Sequence, residues 1–273
     1  MFAVTGGAGF CGPGDGWDLS RARYDGVSFG SSAEDTIPTA LFFKPDGRKM
    51  FVLGNIADGV FQYSLSSPWD ISTASYDEVS FGSSAEDINP HGLYFRDDGL
   101  KMFILGGAND RTYQYTLSTA WASSTASYDE VSFGSSAEET GPQGLFFKPD
   151  GMKAYVIGVI GISVFQYALS TAWASSTASY DSVSFNSSAE DTTPEDIVFK
   201  PDGTRMYIVG AVNDRVSQYL LSTPWDLDTA KYDGVSLSVQ AQDITPRGLF
   251  FKQDGTKMFV AGGTNGRIYQ YSL

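Results

Sequence analysis

Between residues 89 and 136 the chain contains four short runs of strand-forming residues, separated by turns and one Ser-rich linker. The first two runs, 92–96 and 101–105, are apolar at nearly every position, which is typical of strands covered on both faces. The last two, 112–117 and 128–133, alternate apolar and polar residues, which indicates strands with one face toward water. No segment has the apolar period of a helix. The pattern predicts a four-stranded antiparallel sheet with buried inner strands and wetter outer strands.

This pattern returns every 52 residues without an insertion. The residues that recur in step are Tyr24, Tyr76, Tyr128, Tyr180 and Tyr232; Trp17, Trp69, Trp121, Trp173 and Trp225; Pro38, Pro90, Pro142, Pro194 and Pro246; and Gly47, Gly99, Gly151, Gly203 and Gly255. Five copies of such a sheet predict an all-β fold: a five-bladed β-propeller with four antiparallel strands per blade around a central channel. Because the repeat spans nearly the whole chain, residues 1–273 are predicted to form a single domain.

The two ends of the chain are predicted to close the ring together. The last copy stops at its third strand, residues 268–273, whereas the N-terminal residues 24–29 supply an orphan fourth strand. The domain therefore divides into a closing strand (17–29), the repeats (30–273) and a degenerate N-terminal segment (1–16). Residues 1–5 resemble the second strand of a repeat, so this segment is expected either to cap the ring or to pair with a neighbouring molecule. Closure hides strand edges that would otherwise invite aggregation.

The consensus of the repeat resembles a known family. It is Pro-x-Gly-Leu-Phe-Phe-Lys-Pro-Asp-Gly-x-Lys-Met-x-Val-x-Gly, followed by Tyr-Gln-Tyr, and it resembles the blade repeats of the YVTN and lactonase-like β-propeller superfamily from Tyr24 to Leu273. The resemblance implies the fold. It does not select a function, because this superfamily includes enzymes, surface-layer proteins and adhesion modules.

Charge and composition exclude several classes of binding partner. The formal net charge of −14 argues against nucleic acid and against anionic lipid surfaces, and no apolar run is long enough for membrane insertion. Cys11 is the only cysteine, so intramolecular disulfides and thiol-rich metal sites are excluded. No signal peptide is visible. An extracellular, cell-surface or virion-surface location is nevertheless expected from the acidic, cysteine-poor repeat composition.

Acidic residues recur in the loop that leads into each first strand. One set is a candidate for Ca²⁺, the only cofactor that the sequence leaves open, since this ion takes oxygen ligands. The set comprises Asp35, Asp87, Glu139, Asp191 and Asp243. Alternatively, each carboxylate accepts backbone N–H bonds within its own turn.

One position of the repeat, which we call the column, carries a different residue in each copy. Thr39, His91, Gln143, Glu195 and Arg247 follow the recurrent proline at the mouth of the first strand. Five different polar side chains around one channel mouth predict an asymmetric pocket for a small ligand. Sequence drift at an exposed position is the alternative.

The recurrent tryptophans lie in the linkers between third and fourth strands. Trp17, Trp69, Trp121, Trp173 and Trp225 are candidates for stacking sugar rings, which would make the protein a multivalent lectin. The alternative is that each ring wedges between adjacent blades, since large aromatic rings usually serve packing.

The loop between the second and third strands is apolar in the third repeat. It contains Ile160 and Ile162, which predict a contact with a protein partner if the loop is exposed. A loop folded back onto the channel mouth is the alternative.

Catalysis has little support in the sequence. His91 is the only histidine, so a histidine-rich metal centre is excluded, and no Gly-x-Ser-x-Gly motif occurs. Most carboxylate pairs repeat with the blades, whereas Glu195-Asp196 departs from the repeat. The sequence therefore predicts a non-catalytic recognition or structural module of a cell, matrix or virion surface that binds carbohydrate or protein. The alternatives are a self-assembling subunit, and a lactonase-like or glycosidase-like hydrolase with its site at the channel mouth.

Overall fold

The computed structural model describes residues 16–273, which form five antiparallel sheets of four strands each. The first strands are β2 (Pro38–Phe43), β6 (Pro90–Phe95), β10 (Pro142–Phe147), β14 (Pro194–Phe199) and β18 (Pro246–Phe251). The second strands are β3 (Lys49–Gly54), β7 (Lys101–Gly106), β11 (Lys153–Gly158), β15 (Arg205–Gly210) and β19 (Lys257–Gly262). The third strands are β4 (Gly59–Leu65), β8 (Arg111–Leu117), β12 (Ser163–Leu169), β16 (Arg215–Leu221) and β20 (Arg267–Ser272). The fourth strands are β5 (Ala74–Gly82), β9 (Ala126–Gly134), β13 (Ala178–Asn186), β17 (Ala230–Ser238) and β1 (Arg23–Gly30).

Each sheet is one blade, and the blades are numbered 1 to 5 from the one that begins with β2. First strands of neighbouring blades contact each other around the channel. The predicted five-bladed propeller is therefore confirmed.

The ring closes as predicted. Strand β1, the N-terminal strand, pairs antiparallel with β20 in blade 5, and Tyr24 lies opposite Tyr271. The backbone groups of β20 thus find hydrogen-bond partners in the N-terminal strand. Of the predicted N-terminal segment, residues 1–15 lie outside the described residues.

The third strands differ from the sequence prediction. They were expected to be wet on one face, yet β4 and β12 are buried at six of their seven positions. The fourth strands do alternate, as in β5. The reason is a buried glutamine in each third strand, which is polar in sequence but whose amide group donates to an aspartate of the neighbouring fourth strand. Among the described residues, the Gln166 carbonyl oxygen has no hydrogen-bond partner.

Gln114 of β8 shows how this glutamine joins two blades. Its amide donates to Asp129 of its own blade at 2.6 Å, and its carbonyl oxygen accepts the backbone N–H of Ser175 in blade 3 at 2.9 Å. Gln218 and Gln270 carry the same links across the ring closure, to the backbone N–H groups of Leu19 and Ile71. The N–H groups that donate these bonds belong to the first residues of short 3₁₀ helices. Each blade has one such helix, and the five are Leu19–Arg21, Ile71–Thr73, Ser123–Thr125, Ser175–Thr177 and Leu227–Thr229. Over residues 16–273, no helix has the length and apolar character required to span a membrane.

Candidate functional site

The channel has two chemically different ends. We call the end that carries residues 39, 91, 143, 195 and 247 the upper end, and the end that carries the turns at Gly47 and its equivalents the lower end. The five residues of the upper end follow the proline that begins each first strand, so the fold places one on every blade.

Glu195 and Arg247 form the centre of the upper end. The Arg247 guanidinium lies 3.6 Å from the Glu195 carboxylate, and it joins blade 5 to blade 4. Burial raises the pKa of Glu195 to about 7, although the Arg247 guanidinium acts in the opposite direction. At neutral pH this carboxyl group therefore exchanges readily between its acid and base forms, which is the property that a general base needs.

His91 lies close enough to Arg247 for the guanidinium charge to affect the pKa of its imidazole. Burial, and after it the Arg247 guanidinium, lowers the pKa of His91 to about 4. The imidazole is therefore neutral near pH 7 and can both donate and accept a hydrogen bond. It lies against Gly107, where a Cβ atom would come within 2.5 Å of the His91 Cδ2 atom.

The other two residues of the column have different roles. Thr39 is buried and donates its hydroxyl hydrogen bond to the Pro90 carbonyl oxygen at 3.1 Å, so it ties blade 1 to blade 2. Gln143 is half-buried at the same level of β10. The predicted column thus brings together His91, Glu195 and Arg247, whereas Thr39 is engaged in packing.

Asp196 follows Glu195, and its side chain joins blade 4 to blade 5. Its two carboxylate oxygens accept the backbone N–H groups of Ile197 and Leu249, both at 2.8 Å. Burial raises the pKa of Asp196 to about 8, although both backbone hydrogen bonds act in the opposite direction. Its side chain also lines an apolar cavity at the lower end.

The acidic residues proposed for Ca²⁺ hold loops in place. Asp35 accepts the backbone N–H groups of Ile37, Ile56 and Ala57 at 2.7 to 3.0 Å. The same three-bond arrangement occurs at Asp87, Glu139, Asp191 and Asp243. Residues 16–273 contain no group of three or more side chains suited to hold a metal ion. The geometry favours the alternative of turn anchoring, and Ca²⁺ binding stays a prediction.

The tryptophans lie between blades. Trp121 stacks on Phe95 of its own blade at a centroid distance of 5.6 Å and contacts Phe51 of blade 1 at 6.1 Å. Trp17 and Trp121 are only 4% and 7% exposed, so their rings leave little surface for a sugar. Trp69, Trp173 and Trp225 are half-buried in equivalent contacts. This placement favours the wedge interpretation over sugar stacking.

The apolar loop of blade 3 is exposed at its tip. Ile160 is 68% exposed, whereas Ile162 is half-buried and has a φ of 50°, which is unusual for a β-branched residue. Exposed apolar residues also occur on the same face in other blades, as at Ile56 and Val212. The protein contact that this loop predicts stays a prediction.

Sequence reasoning missed two glycines that shape the upper end. Gly107 and Gly263 lie under His91 and Arg247, whereas the equivalent residues of the other repeats are Asn55, Val159 and Ala211. The signal was present in the repeat, since glycine occurs only where the column carries its two largest basic side chains.

Solved structures with the same fold show what the chain is similar to. Neither a protein-family model nor a curated protein matches the sequence. A putative 6-phosphogluconolactonase from Bacteroides uniformis matches with a TM-score of 0.53 and 16% identity over 86% of this chain and 66% of its own length. The equivalent protein from Bacteroides fragilis matches with a TM-score of 0.53 and 14% identity, over 82% of this chain and 77% of its own length. The periplasmic gluconolactonase of Pseudomonas aeruginosa matches with a TM-score of 0.51 and 15% identity, over 86% and 66%.

These comparisons correct the functional prediction. The similar structures are named as lactonases, which contradicts the prediction of a non-catalytic recognition or structural module. That prediction, and with it the statement that the protein is not an enzyme, is wrong, and the findings favour the lactonase-like alternative as a proposal. The carbohydrate-binding, adhesion and surface roles gain no support. The chain spans slightly less than two thirds of the length of the Bacteroides uniformis protein. At identities of 14 to 16% the likeness shows the fold alone, and the β-propeller fold that the resemblance implies is confirmed.

Proposed function

We propose that this protein is a hydrolase that opens the ester ring of a sugar lactone at the upper end of the channel. The observation that carries the proposal is the Glu195–Arg247 pair, in which a buried carboxyl group of pKa about 7 faces a half-buried permanent cation 3.6 Å away. The names of the similar structures supply the substrate class, since two are named as putative 6-phosphogluconolactonases and one as a gluconolactonase.

The pair can perform both halves of ester hydrolysis. The Glu195 carboxylate removes a proton from water as the water oxygen bonds to the lactone carbonyl carbon. The carbonyl oxygen becomes an oxyanion, which the Arg247 guanidinium stabilises by charge and hydrogen bonds. When the ring C–O bond breaks, the proton held by Glu195 passes to the leaving alkoxide, and a hydroxy acid is released. The neutral His91 imidazole is placed to hydrogen bond with a sugar hydroxyl group.

The asymmetry of the site supports this assignment. A catalytic acid–base group needs an environment that differs from that of its symmetry mates. Glu195 meets this condition, because the equivalent side chains are Thr39, His91, Gln143 and Arg247.

The test is hydrolysis of glucono-δ-lactone and of 6-phosphoglucono-δ-lactone in a pH-stat, after subtraction of the buffer rate. We expect turnover of at least one lactone, and a loss of kcat/KM of about 10²-fold or more in Glu195→Gln. Glu138→Gln is the matched control, since Glu138 lies on the rim of blade 3 and accepts the Tyr167 hydroxyl at 3.1 Å. Rates equal to buffer for both lactones, or full activity in Glu195→Gln, would overturn the proposal.

A further inference from the structure

The lower end of the channel is lined by a second set of equivalent residues, and these are mostly aromatic. They are Phe42, Tyr94, Phe146, Val198 and Phe250, one from the first strand of each blade. Four of them form a chain of edge-to-face contacts around the channel. Phe250 and Phe42 have centroids 5.2 Å apart, Phe42 and Tyr94 5.3 Å, and Tyr94 and Phe146 5.4 Å.

Val198 interrupts this chain in blade 4. Its neighbours Phe146 and Phe250 are half-buried, whereas Phe42 and Tyr94, farther from the gap, are 8% and 7% exposed. A cavity of about 110 Å³ opens here, lined by all five residues of the ring. Blade 4 thus lacks the aromatic ring that fills the equivalent space in the other blades.

A carboxyl group lies at the inner end of this cavity. It belongs to Asp196, which also lines the cavity. The equivalent residues are Ala40, Gly92, Gly144 and Gly248, so no other blade places a polar side chain there. Each Asp196 oxygen accepts one backbone N–H group and keeps a second lone pair for a further donor.

The outer edge of the cavity departs from the repeat as well. Trp17 and Trp69 line it together with Asp97 and Gln253, which replace the prolines found at positions 45, 149 and 201. Of the described residues that line the cavity, none is Lys or Arg. The cavity therefore combines an apolar wall with two carboxylates, in a protein of net charge −14.

We propose that this cavity binds a small organic amine, with the ammonium group on Asp196 and the apolar body between Phe146, Val198 and Phe250. Burial makes the lone Asp196 carboxylate costly, and a bound cation removes that cost by pairing with it. The aromatic faces attract the same cation. In size the cavity approaches the roughly 150 Å³ that accommodates benzene in a protein core, and its open outer end admits the remainder of a one-ring amine.

Benzylamine is the probe, and benzyl alcohol is its neutral match. Binding is followed by ¹H–¹⁵N spectra of the indole N–H groups. The signals of Trp17 and Trp69 should shift on addition of benzylamine, whereas those of Trp121 and Trp173, which do not line the cavity, should stay in place. Benzyl alcohol should bind at least tenfold more weakly.

Two variants copy residues of other blades into this one. Asp196→Gly should weaken benzylamine at least tenfold without changing the affinity for benzyl alcohol, and Asp196→Asn should do the same if the glycine variant fails to fold. Val198→Phe should abolish the binding of both probes, because it completes the aromatic ring. Equal benzylamine affinity in the Asp196 variants and in the unsubstituted protein would overturn the proposal, as would equal shifts of all the indole signals. Glu195→Gln should bind benzylamine normally, so failure of the lactonase proposal would leave this one intact.

Discussion

The upper and lower ends of the channel are built from residues three positions apart on the same five first strands, yet their chemistry is opposite. Residues 39, 91, 143, 195 and 247 make the upper end polar, whereas residues 42, 94, 146, 198 and 250 make the lower end aromatic. Blade 4 breaks the symmetry of both ends, because it supplies Glu195 to the upper end and both Asp196 and Val198 to the cavity at the lower end. Repetition builds the ring, and a site that must differ from its symmetry mates is made by breaking the repetition in one blade.

The adjacent carboxyl groups of Glu195 and Asp196 show how a cationic partner changes the pKa of a buried acid. Both are about 8% exposed, so burial acts on both. Glu195 has a guanidinium 3.6 Å away and a pKa of about 7, whereas Asp196 has only backbone N–H partners and a pKa of about 8. The ordinary order of the two residue types is reversed, because Asp is normally the stronger acid. A cation partner thus keeps a buried carboxyl group usable as a base near neutral pH.

The largest effect is expected at the lower end. Phe42→Ala should lower the free energy of unfolding by about 3–5 kcal/mol, because it removes a buried ring in contact with Tyr94 and Phe250. Phe250→Ala should cost less, since Phe250 borders the gap at Val198 and is already half-buried. Urea unfolding of the two variants measures the difference. Equal losses of unfolding free energy in the two variants would mean that the gap at Val198 does not weaken the packing of Phe250.

At the upper end, Arg247→Met should act on catalysis. We expect kcat for lactone hydrolysis to fall about 10²-fold, because the oxyanion loses its cation. In the unsubstituted protein the rate should rise with pH through about 7, since the base form of Glu195 is the active one. The midpoint should move higher in Arg247→Met, because the guanidinium holds the pKa of Glu195 down. Arg215→Met, at an exposed arginine of blade 4, should alter neither quantity.

The pH dependence of stability sharpens the contrast between the two carboxyl groups. The pKa of Asp196 is raised in the folded state, so the fold favours its neutral form. The stability tied to that proton is complete below the ordinary Asp pKa and is lost as the pH rises toward about 8. Because each pKa unit corresponds to about 1.4 kcal/mol, the loss should amount to a few kcal/mol. The unfolding free energy of Asp196→Gly should therefore depend less on pH between pH 5 and pH 8 than that of the unsubstituted protein. If the two curves are parallel, the raised pKa of Asp196 in the folded state is contradicted.

The fold could be predicted because every local signal occurs five times. The turn at Gly47, the strand patterns and the orphan strand of residues 24–29 each support the same ring. The third strands were the exception, since Gln62 and Gln114 look solvent-facing in sequence. Their burial depends on partners in adjacent blades, Ser123 and Ser175, which lie 61 positions away in each case.

The candidate site could be predicted only in part. His91, Glu195 and Arg247 stood out because polar residues that differ at one repeat position are easy to notice. Val198 also differs from the equivalent residues of the other repeats, which are aromatic. A change from one apolar residue to another, however, does not indicate a binding site in the sequence. The raised pKa of Glu195 could not be inferred at all, since it depends on burial that the assembled ring creates.

The smallest expected effect concerns the support of His91. In Gly107→Ala the new Cβ atom would approach the His91 Cδ2 atom to 2.5 Å, so the imidazole must leave its present position beside residue 107. We expect kcat/KM for the lactone to fall about tenfold, which corresponds to about 1.4 kcal/mol, while the unfolding midpoint changes little. Gly82→Ala is the matched control, because no atom lies within 4 Å of a Cβ atom at that position. If Gly107→Ala and Gly82→Ala have the same kcat/KM, His91 takes no part in binding the lactone, and the upper end acts through Glu195 and Arg247 alone.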